Sequence, residues 1–437
     1  MSTVLHLGAG ATWPGEIALR VNHGIFAFFV SQFRKEIILV AGTNGKTTTS
    51  LMITQVLEKH GFSVVHNSSG ANLLNGVVSA CIQRSSWNGT LRADYGVFEV
   101  DENSLPVVIS IIKHKESVKG FTLVLLNLFR DQLDRYGEVD VIAEKWEKSL
   151  REQRAQHKKK SNSRNKKIIQ IIANADDPLI AHLASIASIS TPDIKAFYFG
   201  LNDRALFQQR MDHATDSIFC PSCGSRLAYE GMYYSHIGVW HCLSCGAKRP
   251  VPDIDAWQSP LPGLYNQYNT LAAVAALRSV GVSDSHIQNA LTDFAPAFGR
   301  QEEFLMDGKR LKLFLSKNPA GFNASLQTVL NMKPITLLLV LNDRIPDGRD
   351  VSWIWDVDFE VLGNKKIEII VSGDRAYDLA VRIKYAIQFQ NFTVETDLKK
   401  AISHVLQTVK NGETVYILAT YSAMLAVRKV ITGKKIV

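Results

Sequence analysis

The chain has 437 residues, 46% apolar and 21% charged, a balance typical of soluble globular proteins that excludes a mostly disordered chain. That length predicts two or three domains rather than one. Net charge is +8, but residues 151–167 (REQRAQHKKKSNSRNKK) hold eight Lys/Arg against one Glu, so +7 of it sits in one polar segment. Such a segment reads as a solvated loop, with a patch for anionic headgroups or pyrophosphate as the sharper alternative. No aromatics interleave the cations, so no nucleic-acid partner is expected.

In chain order, the N-terminus lacks the basic start and long apolar stretch of a secretory signal. The apolar segment Gly24–Phe33 is short enough to read as a buried helix, and no run reaches the roughly 18 apolar residues of a membrane span. The expectation is a cytoplasmic protein. Glu36–Val40 (EIILV) is a β-branched run typical of a buried parallel strand. It leads through AGTNGKTTTS into a helical pattern at Leu51–His60. Further strands read at Ser63–His66, Tyr95–Val100, Thr122–Leu126 and Ile168–Ala173, with helix-length segments between them, which predicts an open parallel α/β sheet. Residues 214–250 break the rhythm and carry four of the five cysteines. A helix follows at Tyr268–Val280. After GRQEE a second α/β unit reads from strands at Thr336–Leu341, Ile367–Ser372, Thr393–Glu395 and Thr414–Leu418. The boundaries expected are an N-terminal segment 1–35, a central domain 36–305 with an insert at 214–250, and a C-terminal domain 306–437.

Two motifs carry chemistry on their own residues. GTNGKTT lies between a strand and a helix, where glycines let backbone N–H groups face phosphate oxygens. Gly42, Thr43, Asn44, Gly45, Lys46, Thr47 and Thr48 are therefore candidate ATP-binding residues, with Lys46 charging the β/γ-phosphates and Thr47 a ligand for Mg²⁺. Val40 stands where the strict GxxxxGK[ST] pattern wants glycine. Cys220-Pro-Ser-Cys223 and Cys242-Leu-Ser-Cys245 form two CxxC knuckles flanking GMYYSHIGVWHC. This is the pattern of a structural Zn²⁺ ribbon with S₄ coordination, a redox pair or an Fe–S cluster being the alternatives. His241 reads as a neighbour of that site, and Cys81 as a small buried hydrophobe.

GTNGKTT is the form of this loop found in the Mur ligases and folylpolyglutamate synthases, and the chain resembles that family in motif order. Asn127-Leu-Phe-Arg-Asp131-Gln132-Leu-Asp134 resembles N-x-x-x-D-H-L-D, and Asn174-Ala-Asp176-Asp177-Pro resembles NxDDP. Gly263-Leu-Tyr-Asn266-Gln-Tyr-Asn269 matches G-x-H-N-x-x-N, Gly299-Arg300-Gln-Glu302 matches GRxE, and Asn318-Pro319-Ala-Gly matches NPxG. The resemblance implies a central phosphate-loop domain, here with a four-cysteine zinc ribbon, and a Rossmann-like C-terminal α/β domain. It places Asn266 and Asn269 near adenine, Arg300 near nucleotide phosphate, and Glu99 as a Mg²⁺ ligand. It also implies that a carboxylate is activated by ATP as an acyl phosphate and then attacked by an amine.

Only 41 residues precede Gly42, so the uridine-nucleotide domain of ordinary Mur ligases is not expected. That feature and the cysteine insert resemble the MurT branch. There the implied reaction is amidation of the D-glutamate α-carboxyl of lipid II at the membrane surface. The implied nitrogen source is a partner glutaminase of the GatD type in a heterodimer, and attachment at the inner membrane face would accompany that substrate. By the same resemblance Asp350, in IPDGRD, is a catalytic residue completing the partner's Cys–His pair. From the residue alone it is a helix N-cap. Lys145 lies near the family's carbamylated lysine but is given no role. Phe314 stands where the family has an aspartate that serves the amino-acid substrate, which fits ammonia as acceptor. The alternatives weighed are a Mur or folyl-type ligase that adds an amino acid, a zinc-ribbon nucleic-acid binder, and a scaffold with an idle nucleotide site.

Overall fold

The computed structural model describes residues 12–67, 71–115, 117–118, 120–131, 138–151, 168–388 and 391–433. Gln132 and Asp134 of the acidic motif, Ser68–Gly70 and nearly all of the basic segment lie outside them. The first sheet contains β1 (Glu36–Ala41), β2 (Val64–His66), β3 (Tyr95–Glu99), β4 (Gly120–Leu125), β5 (Ile168–Asn174) and β6 (Ile194–Phe199). Their order is β2-β3-β1-β4-β5-β6, with every pair parallel. Side chains of a strand alternate between faces, and both faces of this sheet are covered. Ile37, Leu39 and Ala41 enter one apolar layer with Val77, Leu105, Trp146 and Ile180, whereas Ile38 and Val40 enter the other with Met52, Ile53 and Leu271. The continuous apolar run of β1 is thus a consequence of double burial. Among the described residues no helix is long and apolar enough to cross a membrane.

The segment expected as a buried helix forms one at Ile25–Val30, with Phe26, Phe29 and Val30 buried. The helix after β1 begins directly on Lys46 and runs to Lys59, five residues earlier than the apolar periodicity suggests. The helix expected at Tyr268–Val280 spans Leu264–Ser279.

Within the insert, β7 (Ala228–Tyr234) and β8 (Ile237–His241) pair antiparallel as a two-stranded ribbon. The second sheet contains β9 (Arg300–Met306), β10 (Lys309–Leu315), β11 (Thr336–Val340), β12 (Glu368–Ser372), β13 (Thr393–Val394) and β14 (Thr414–Ala419). Its order is β13-β12-β11-β14-β10-β9, and β9 alone runs antiparallel to its neighbour. β6, β9 and β10 were not expected from sequence. β6 and β9 are edge strands whose alternating burial dilutes the apolar signal, and β10 (KRLKLFL) is interrupted by charge.

Candidate active site

β1 ends in the crevice where the strand order reverses, between β3 and β4, and such a switch point is where open α/β sheets bind ligands. Gly42 (φ 138°) and Gly45 (φ 94°) turn the chain there into the helix that opens on Lys46. The Lys46 ammonium donates to the Gly42 carbonyl at 2.6 Å and to the Glu102 carboxylate at 3.2 and 3.3 Å. The Thr47 hydroxyl donates to Glu99 at 2.7 Å and accepts from the Arg300 guanidinium at 3.2 Å. Lys46, Thr47, Glu99 and Arg300, far apart in sequence, therefore share one cluster. The Thr47 hydroxyl and the Glu99 carboxylate are adjacent hard oxygen donors of the kind Mg²⁺ takes. Burial pulls the Arg300 pKa down, while Glu99 opposes that shift.

Asn44 ties the loop to two further motifs. Its backbone N–H donates to Asn127 Oδ1 at 2.9 Å, and its side chain exchanges hydrogen bonds of 3.0 and 3.3 Å with Asn318 of the second unit. Thr43 is buried and donates its backbone N–H to the Asn127 carbonyl at 2.9 Å. Thr48 is buried in the first turn of the helix. Asn269 donates to Asn266 at 3.2 Å, which in turn donates to the Pro262 carbonyl at 2.8 Å. Asn269 lies so close to Gly45 that a methyl group on that glycine would meet its amide oxygen at 2.1 Å.

Three charged residues of this cluster were given no role from sequence: Glu102, Lys317 and Asp131, the last named only as a motif position. Burial raises the Glu102 pKa, with Lys46 opposing. Lys317 donates to Asp131 at 2.5 Å. Burial works against the Lys317 charge, but Asp131 and Glu102 outweigh it and raise its pKa. The available signals were the acidic run Glu99-Val-Asp-Glu102 at a strand end and the position of Lys317 before NPAG. Lys145 reaches the same loop, donating to Asn103 at 3.1 Å. Phe314 is buried in the apolar core of the second unit, so no carboxylate faces the site from that position.

The structure does not bring Asp350 into this cluster. It is exposed in the second unit, and its two oxygens accept from the Ser352 backbone N–H (2.8 Å) and hydroxyl (2.9 Å), which lower its pKa. The four insert cysteines form a second centre, their sulfurs all within 4.8 Å of one another. Cys220–Cys245 and Cys223–Cys242 Sγ distances are 3.7 and 3.6 Å, too long for disulfides. The two knuckles are built alike. The Cys220 backbone N–H donates to the Ser225 carbonyl and the Cys242 backbone N–H to the Ala247 carbonyl, each at 2.7 Å, and Gly224 (φ 73°) and Gly246 (φ 75°) complete the turns. The Ser225 hydroxyl and backbone N–H bring the Cys223 thiol down to about 6. A tetrahedral ion with bonds of about 2.3 Å separates its sulfurs by about 3.8 Å, so the donor set fits one.

Comparison with known proteins decides the family. Residues 40–277 match the Mur ligase middle domain, and residues 315–424 match the MurT ligase C-terminal domain. The MurT subunit of the glutamine-hydrolyzing lipid II isoglutaminyl synthase of Staphylococcus aureus (strain COL) is 33% identical over 416 residues, covering 91% of this chain and 88% of that one. The chain belongs to the MurT family of Mur-type ligases. The Streptococcus pneumoniae R6 MurT subunit is 32% identical over 99% of this chain and 94% of its own length. Among solved structures, a pseudomurein peptide ligase type C from Methanothermus fervidus superposes with a TM-score of 0.64 at 20% identity, covering 92% of this chain and 79% of that one. Mycobacterium tuberculosis folylpolyglutamate synthase, solved with ADP and AMPPCP, gives 0.55 at 14% identity over 96% of this chain and 100% of that one. Those two likenesses show the fold alone. As a member of the MurT family this chain is an ATP-dependent ligase, with ATP and Mg²⁺ the family's requirements.

Proposed function

We propose that this MurT-family ligase amidates the D-glutamate α-carboxyl of the lipid II stem peptide to D-isoglutamine, through an acyl phosphate and with ammonia from a GatD-type glutaminase subunit. The observation that carries the reading is the likeness, over nearly the whole chain, to subunits named for the lipid II isoglutaminyl synthase. Gly42–Thr48 cradle the triphosphate, Asn266 and Asn269 approach the adenine, and Lys46 and Arg300 neutralise charge as the γ-phosphoryl passes to the substrate carboxylate. Thr47 and Glu99 would hold Mg²⁺, which supplies further charge neutralisation on the phosphates. The burial of Phe314 supports ammonia over an amino acid as acceptor, since no carboxylate stands there to receive an ammonium group.

Cys220, Cys223, Cys242 and Cys245 would hold a structural Zn²⁺ that locks the two knuckles together. Asp350 is assigned to the glutaminase interface, where its exposed carboxylate would complete the partner's catalytic pair. Exposed Trp355, Tyr377 and Tyr385 on the same unit are residues of the kind enriched at protein interfaces. Work on a lipid-linked substrate would place the complex at the inner face of the membrane.

The test supplies the purified chain with lipid II, ATP, Mg²⁺ and an ammonium salt and follows the substrate by mass spectrometry. Conversion of the acid to the amide without any partner is expected. An unchanged substrate, or ligation of an amino acid instead, would refute the reading.

A further inference from the structure

Asp131 ends the described loop after β4, and half of its carboxylate is unaccounted for. Oδ2 accepts from Lys317 at 2.5 Å. Oδ1 is buried with no hydrogen-bond partner among the described residues, in a side chain only 6% exposed. An unmet buried carboxylate oxygen is costly, and native proteins seldom keep one without a use. The loop that carries it is fastened to the phosphate loop, with the Thr43 N–H donating to the Asn127 carbonyl at 2.9 Å and the Thr43 hydroxyl to the Phe129 carbonyl at 3.2 Å. The charged groups around it are Lys317, which it pairs with, and Glu102, which in turn contacts Lys46; Asp101 and Arg300 act on those two.

An ionised carboxylate only accepts hydrogen bonds. A ligand of Oδ1 must therefore bring protons, and it must be small to reach an enclosed oxygen. Asp131 also lies on the loop fastened to the one where ATP would activate the substrate carboxylate. We propose that Asp131 is a catalytic residue that binds ammonium through Oδ1 and removes its proton as the nitrogen attacks. The inference rests on the amidation reading above. One proton passes from ammonium to Asp131, and the freed nitrogen lone pair forms the C–N bond at the acyl-phosphate carbonyl. The C–O bond to phosphate then breaks, and phosphate leaves with the electron pair. The departing phosphate takes the second surplus proton from nitrogen, and Asp131 returns its own to solvent. Lys317, donating to Oδ2 at 2.5 Å, holds the carboxylate in place.

The experiment compares wild type and Asp131→Asn in ammonium-driven amidation across pH, with nucleotide affinity measured alongside. At neutral pH kcat/KM for ammonium is expected to fall about 100-fold or more, the range of a lost general base. Nucleotide affinity should be unchanged, and the deficit should shrink as rising pH converts ammonium in solution to ammonia. A loss that is the same at every pH, one restored by added Mg²⁺, or no loss at all would overturn the assignment while leaving amidation intact. A wild type that does not use ammonium at all overturns the amidation reading and this one with it. If Asp131→Asn does not fold, Asp131→Glu carries the test: the displaced carboxylate should raise KM for ammonium at constant nucleotide affinity, and an unchanged KM overturns the proposal.

Discussion

His66, at the end of β2, shows how much one side chain's surroundings add to its identity. Its Nδ1 lies 2.9 Å from the Val97 carbonyl and so carries the proton, which leaves Nε2 buried with no partner among the described residues. Burial lowers its pKa below the ordinary 6.5, against weaker opposing effects from Val97 and Glu99. The unfolded chain then takes up the proton before the folded one does. The stability tied to neutral His66 is complete above the unfolded value and is lost as pH falls from about 6.5 toward the lowered folded value. Thermal melts of the nucleotide-free protein should show wild type losing more stability than His66→Asn between about pH 7.5 and about pH 5.5. Parallel curves would show that His66 does not titrate in that way. Nothing in the local sequence around His66 announces this behaviour. It arises from the 2.9 Å contact with β3 and from the layers packed over it.

At the scale of elements, NADDP links the ribbon to the central sheet. Asp176 is buried and accepts from Arg249, from the Tyr268 hydroxyl at 2.5 Å and from the Leu201 N–H at 2.8 Å. Its carbonyl accepts from Gly238 of the ribbon, and the Trp240 indole donates to the Ala175 carbonyl, both at 3.0 Å. Asp177 caps the helix Pro178–Ser190 and faces the buried His236 at 3.3 Å. Burial raises the Asp176 pKa even with Arg249 beside it, so losing the arginine would leave a carboxylate stranded in the interior. Arg249→Leu is accordingly expected to cost about 3–5 kcal/mol, the range for breaking a buried pair, as read by urea unfolding. A cost under about 1 kcal/mol would show that the pair behaves like an exposed one. From sequence the motif was legible as a strand end. Its work as the socket of the cysteine ribbon was not, because that depends on Arg249 arriving 73 residues later.

Across the whole molecule, the cluster proposed to hold the nucleotide is also the joint between the two sheets. Arg300, on β9, reaches Thr47; Asn318 pairs with Asn44; Lys317 pairs with Asp131. Away from the phosphate loop, Arg130 bridges to Asp356 at 3.4 Å, and His213 to Asp358 at 2.6 Å. Binding ATP at this joint should draw on both units at once. Arg300→Ala is expected to weaken ATP binding by about 10- to 100-fold, as a lost hydrogen bond from a charged group does at about 1.5–3 kcal/mol. Fluorescence titration with an ATP analogue would check this, and an unchanged affinity would place Arg300 outside the nucleotide site.

The glycine turn between β1 and the helix that opens on Lys46, the parallel strands of both units and the two cysteine knuckles were legible in the chain itself. Each is a local pattern in which backbone geometry and near neighbours dictate the residues: glycines where φ is positive, unbroken apolar runs where both faces are covered, and cysteines spaced for one turn. The edge strands β6 and β9 were hidden, since exposed and half-buried positions interrupt their apolar runs. The partners of Lys46, Asp131 and Asp176 were hidden as well. A charge's partner is chosen by which loops the packed sheets bring together, and those loops lie from 56 to 186 residues apart along the chain. The reading of chemistry type came from sequence; the assembly of one buried, mutually charged site from both halves of the molecule was decided by tertiary packing, because buried charges are stable only where the fold supplies their partners.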